Sequence, residues 1–104
     1  MEGTLTEAEA KDAGIVALVV LESGGWYYPF VRIDRKGKWH GIRTIQDNPR
    51  LVAYGDFGKL MHKLRGKVAR GRKSGFGWQG SEVTVILPHN PMAARLGPAA
   101  RDIR

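Results

Sequence analysis

"IVALVVLESGGWYYPFVRI" (residues 15–33) is the stretch on which the fold turns. Its first part, 15–22, is dense in β-branched residues and apolar at consecutive positions, which predicts a strand buried on both faces. Such a strand belongs in the middle of a sheet, with a helix over at least one side. Gly24 and Gly25 then supply a two-residue hairpin loop, because glycine adopts the positive φ that such a loop demands without steric cost. The return stretch 26–33 is aromatic and β-branched, as pleated strands favour. Pro29 has no backbone donor, which predicts an edge strand or a bulge there. An edge of that kind leaves pairing between two copies open as a route to a homodimer.

Outward from the hairpin, both flanks carry readable punctuation. Upstream, "TLTEAEAKDAG" (4–14) places Thr6 three residues before Glu9, a capping-box signature, with Gly14 as the stop. Downstream, "DRKGK" (34–38) reads as a type I turn closed by Gly37 in the left-handed region, and 39–45 as the returning strand. Residues 46–49 form a loop, and 50–54 a further short strand. Asp56 then caps a helix from Phe57 to about Arg70, in which Phe57, Leu60, Met61, Leu64 and Val68 share one side. A glycine-rich loop (73–81) leads to a last strand over 82–88. Asn90, Pro91, Gly97 and Pro98 mark a short helical tail within 89–104.

The expectation is one α+β domain spanning 1–104. Its small, mostly antiparallel sheet has four or five strands, the 57–70 helix packs across it, and short terminal helices lie against the same core. A chain of 104 residues can bury well over half of its unfolded surface, so no metal or disulfide staple is needed. The absence of cysteine excludes disulfides and thiolate zinc sites. The acidic start lacks the pattern of a signal peptide, and the longest apolar run is about half of a bilayer span. A soluble, cytoplasmic protein with no membrane partner is expected.

Charge carries the functional signal. The net charge is +7, and residues 59–73 hold seven Lys/Arg with no acid. The ten remaining Lys/Arg balance the ten Asp/Glu of the whole chain, so the excess resides in one stretch. On a continuous helix, Lys59, Lys63 and Arg70 gather opposite the apolar face, beside Gly66 and Ala69. Lys59–Lys63 and Lys63–Lys67 are like-charge pairs, each costing roughly 0.2–0.5 kcal/mol, with no local acid to relieve them. A polyanion would relieve them. A solvated face that merely lacks acids is the plainer alternative, but such faces usually mix signs.

These residues predict nucleic-acid binding, to DNA or RNA, through backbone phosphates with little base readout. Lys59, Lys63, Lys67, Arg70, Arg72 and Lys73 would supply charge and Phe76 a stacking contact, with Arg35, Lys36 and Lys38 of the 34–38 turn as secondary contacts. Trp78 is expected to fold back over the sheet, and Trp26, Tyr28 and Trp39 to serve as core or cross-strand residues. The competing expectation is a small interaction module or inhibitor whose basic patch docks on an acidic protein. Short, basic, cysteine-free chains of this kind are typical of phage and mobile-element accessory proteins. The order of strand, hairpin and basic helix is similar to that of small three-stranded DNA-binding modules such as integrase arm-binding domains. That likeness spans about half of the chain, has no specific motif and transfers no residue roles.

Nothing points to catalysis. His40, His62 and His89 are isolated, and Asp34, Asp47 and Asp56 suit turns or caps. "GFGWQG" (75–80) fits the spacing of a dinucleotide fingerprint but leads into a strand instead of a helix. No metal, cofactor or enzymatic activity is expected.

Overall fold

The computed structural model describes residues 1–65, 67–69, 72–74, 76, 78, 80 and 83–103. Strand β1 (Thr4–Thr6) leads into helix α1 (Glu7–Ala13), followed by the hairpin of β2 (Ala17–Ser23) and β3 (Trp26–Arg32) and then β4 (His40–Arg43). Helix α2 (Phe57–Arg65) precedes two three-residue strands, β5 (Lys67–Ala69) and β6 (Arg72–Ser74). Strand β7 (Thr84–Ile86), a 3-10 helix (Pro91–Arg95) and α3 (Pro98–Arg101) complete the fold.

The hairpin forms as its sequence dictates. Ala17–Ser23 pairs antiparallel with Trp26–Arg32 over seven residue pairs, and Gly24 and Gly25 take φ of 60° and 82°. Around it the five-stranded sheet has the order β1-β4-β3-β2-β7. The inner pairs are antiparallel, but β1 runs parallel to β4 and β7 parallel to β2. The sheet is therefore mixed, antiparallel at its centre and parallel at both edges, so the mostly antiparallel expectation holds only in part. Parallel neighbours need long crossovers, and the segment containing α2 supplies one between β2–β3 and β7.

The alternation along β2 divides the interior in two. Leu18 and Val20 join Val31, Ile42, Ala10, Leu60, Leu64 and Phe76 on the side of α1 and α2. Val19 and Leu21 join Phe30, Ile86, Leu96 and Ala99 on the side of the C-terminal helices. The terminal helices thus cover opposite faces and do not share one core as expected. Burying each of the Val, Leu, Ile and Phe side chains is worth about 1.5–3 kcal/mol, so both layers matter to the fold.

Pro29 is fully buried in the central strand, paired in register with Val20. That corrects the edge-strand expectation and removes this strand as a dimerisation edge; the edges are β1 and β7. Proline is tolerated because of strand parity. Tyr27 exchanges both backbone bonds with Tyr54, so alternation turns the nitrogen of residue 29 to that same side. There the Ile42 carbonyl already accepts from Val52 N–H at 2.7 Å, and no ladder bond is lost.

Four other expectations shift. Residues 50–54 contribute only two isolated bridges, Arg43–Leu51 and Tyr27–Tyr54, because the segment passes from beside β4 to beside β3. Gly37 is not among the positive-φ glycines. A Cβ there would lie 2.5 Å from Asp34 Oδ1, so close approach of that carboxylate explains the glycine. Trp26, next to the tight turn, is 51% exposed and faces Ser23 across the hairpin, so of the core and cross-strand alternatives only the second remains. The fourth shift concerns α2, which stops at Arg65 and not near Arg70. In a longer helix the carbonyls of Lys63 and Leu64 would accept from residues 67 and 68. Here they accept instead from Phe76 N–H (3.0 Å) and Trp78 N–H (2.6 Å), and Val68 lies in β5.

The caps follow their sequence signals. Thr6 Oγ1 accepts from Glu9 N–H at 3.1 Å, and Thr6 N–H donates to Glu9 Oε1 at 2.9 Å. That backbone bond, the Thr6 hydroxyl and the Arg43 guanidinium hold the Glu9 carboxyl below its usual value. Asn90 Oδ1 accepts from Met92 N–H at 2.9 Å, opening the tail helix as expected.

Candidate nucleic-acid interface

Asp56 begins the basic segment by accepting from Gly58 N–H at 2.7 Å and Lys59 N–H at 3.3 Å. The nine-residue helix it caps buries Leu60 and Leu64 completely. That fixes the opposite side toward solvent, where Lys59, His62 and Arg65 are exposed. Lys59, His62 and Lys63 line a shallow cleft of about 560 Å³ with Tyr54, Asp56 and Gly58. Phe57 stays at the rim, its ring 5.4 Å from that of Tyr27.

Two of the expected cations thus come together on α2, but they are not equivalent. Lys63 Nζ lies 3.5 Å from Glu7 Oε1, so α1 supplies the acid that the local sequence lacks. Lys59 has no carboxylate within ion-pair distance among the described residues. The Tyr54 phenol in the same cleft is pushed up to about 12, chiefly by burial and secondarily by the Glu7 carboxylate. It is neutral at ordinary pH and offers a hydroxyl where the lysines offer charge.

The other expected residues do not extend a helical stripe. Lys67 lies on β5, and Arg72 and Lys73 on β6. These strands form a separate antiparallel ribbon, with Lys67 opposite Ser74, Val68 opposite Lys73 and Ala69 opposite Arg72. Arg70 lies outside the described residues. Phe76 is 3% exposed and belongs to the core against α2, so it offers no ring for stacking. The hydrophobic cost of leaving a phenylalanine outside a core of this size explains that placement. Trp78 packs against the same core as expected, with its indole N–H buried and unpartnered. Arg35, Lys36 and Lys38 are exposed on the β3–β4 turn, and Lys38 lines a different cleft.

Sequence reasoning missed Glu7 and Tyr54. The ion pair joins positions far apart in the chain, and no local pattern signals such a pair. The end of α2 had a signal, since glycine at position 66 is a common helix stop. Among the described residues, no group of three or more His, Cys, Asp or Glu could hold a metal, and no helix is long and apolar enough to cross a membrane. Comparison with family models, with curated proteins and with solved structures finds no match to this chain.

Proposed function

We propose that this protein binds nucleic acid through backbone phosphates, by binding alone and without catalysis, in the reducing cytoplasm. The acid-free run of seven Lys/Arg at 59–73 carries the reading, since the rest of the chain is charge-balanced. The contacts are Lys59 on α2 and Lys67, Arg72 and Lys73 on the β5–β6 ribbon, with Arg70 added from the sequence alone and Arg35 and Lys36 as outlying contacts. Lys63 contributes less, because Glu7 already answers its charge. A basic antiparallel ribbon suits a groove or a phosphate backbone better than a single helical face, because two strands span both walls. Phe76 has no part in it.

Fluorescence anisotropy with labelled duplex DNA and with single-stranded RNA, across several salt concentrations, tests the proposal. The wild type is expected to bind near micromolar Kd at about 50 mM salt, with log affinity falling linearly against log salt at about −0.9 per phosphate neutralised. Lys59→Glu/Arg72→Glu is expected to weaken binding and flatten that slope. Both substitutions avoid the Glu7–Lys63 pair, so circular dichroism should report an unchanged fold. Failure of both nucleic acids to bind at about 50 mM salt sinks the reading and directs the search to acidic proteins.

A further inference from the structure

A second cationic site lies across the sheet from α2, where the end of β3, the start of β4 and the N-terminal strand meet the C-terminal helices. This cleft encloses about 750 Å³, within the range of sites for small organic ligands. Among the described residues its cations are Arg32, Lys38 and Arg95, joined by His40, with Glu2 as the one acid lining it. Arg32 occupies an inward-facing register position, two residues after the fully buried Phe30 on the same face. Its guanidinium carbon stands 5.0 Å from the Trp39 ring centroid, so the indole supports the planar fork. Its Nε is buried without a hydrogen-bond partner. Among the described residues no carboxylate lies within ion-pair distance of it.

A half-buried arginine is ordinarily matched by a carboxylate or by backbone carbonyls. Here an aromatic face lies against it and further cations line the same cleft, an arrangement completed by an anion brought from outside. With three cations against one acid the lining favours a dianion over a monocarboxylate. Trp39, Met92 and Pro98 give the cleft apolar wall, which suits an organic body attached to that charge.

We propose that this cleft binds a small organic phosphate monoester, its phosphoryl oxygens accepting from Arg32 and Arg95 and its apolar portion lying along the Trp39 wall. The site is independent of the 59–73 surface, and either can fail without the other.

The test is a titration of uniformly 15N-labelled full-length protein with phenyl phosphate, inorganic phosphate and benzoate, followed by two-dimensional NMR. Phenyl phosphate is expected to give saturable shifts at the Trp39 indole, the Arg32 Nε–H and the His40 amide. Its affinity should exceed that of inorganic phosphate or benzoate by about tenfold or more. Arg32→Gln should weaken it by at least about tenfold, since one charged hydrogen bond is worth that much. Arg95→Gln, at an exposed position that leaves the fold alone, should weaken it severalfold and keeps the test decisive if Arg32→Gln does not fold. Lys59→Gln should leave the titration read at Trp39, Arg32 and His40 unchanged. No saturable shift, equal affinity for benzoate, shifts confined to 59–73, or undiminished binding by Arg95→Gln and any folded Arg32→Gln would each overturn the proposal.

Discussion

The β2–β3 hairpin and the segment from Asp56 to Trp78 are both strongly patterned, and only the first folds as its pattern reads. In the hairpin every local preference except that of Pro29 agrees with its surroundings: β-branched residues, a Gly-Gly turn and two apolar faces, each covered. In the later segment helical periodicity continues through Val68, yet the helix ends at Arg65 because Phe76 and Trp78 claim its last carbonyls. Periodicity describes which residues can share a face. Whether the backbone stays helical depends on who else bonds to it.

The sharpest way to probe this contrast is to hollow out each region. Phe30→Ala in the hairpin is expected to cost about 3–5 kcal/mol, and Leu64→Ala in α2 about 2–5 kcal/mol, by urea unfolding. Phe30→Ala should unfold the whole protein at lower denaturant. If Leu64→Ala instead loosens α2 alone, hydrogen exchange will show early opening there with the hairpin still protected, and the two regions are less coupled than their packing implies.

Alkaline pH gives the next effect. Tyr54 is held neutral up to about 12 in the folded state, against about 10 in the unfolded chain. The folded state therefore binds the proton more tightly. Its stability is unaffected below about pH 10 and falls as pH rises from about 10 toward 12. Tyr54→Phe should flatten that alkaline loss in pH-dependent unfolding; an unchanged profile would place the titrating group elsewhere.

Capping should be smaller. Asp56→Ala is expected to cost about 1 kcal/mol, as is Thr6→Ala, both read from denaturation midpoints. Asp56→Ala should also lower α2 helicity, because that helix is short and loses its carbonyl partners to the following loop. The smallest term is the tie between the regions at α1. A double-mutant cycle on Glu7 and Lys63, both partly exposed, is expected to give about 0.2–1 kcal/mol, falling with salt. A coupling of zero would return Lys63 to the binding surface as a cation equal to Lys59.

Much of the fold was legible because its signals are local. The capping box at Thr6 and Glu9, the Gly24-Gly25 turn, the Asp56 cap and the Asn90–Pro91 start all follow from chemistry within a few residues. Strand direction was not legible, because β7 joins β2 across most of the chain. Pro29 misled because its tolerance depends on Val52 occupying the Ile42 carbonyl, a fact about a third segment. For the candidate interface, the cations and their excess could be read directly. Their arrangement could not: helix periodicity placed Lys63 and Lys67 on one rod, while the fold gives one an acidic neighbour and puts the other on a ribbon.

The placement of β7 has a consequence for how the protein is made. On the ribosome the β2–β3 hairpin is complete when residue 32 emerges, yet Val19 must wait for Thr84 before its outer flank is paired. Through most of synthesis the nascent chain carries a hydrophobic strand with one open side, ready to take whatever extended segment it meets. Non-local parallel pairing closes late and slowly. The open side of that strand is therefore an aggregation hazard of the unfinished chain until residues 84–86 have emerged.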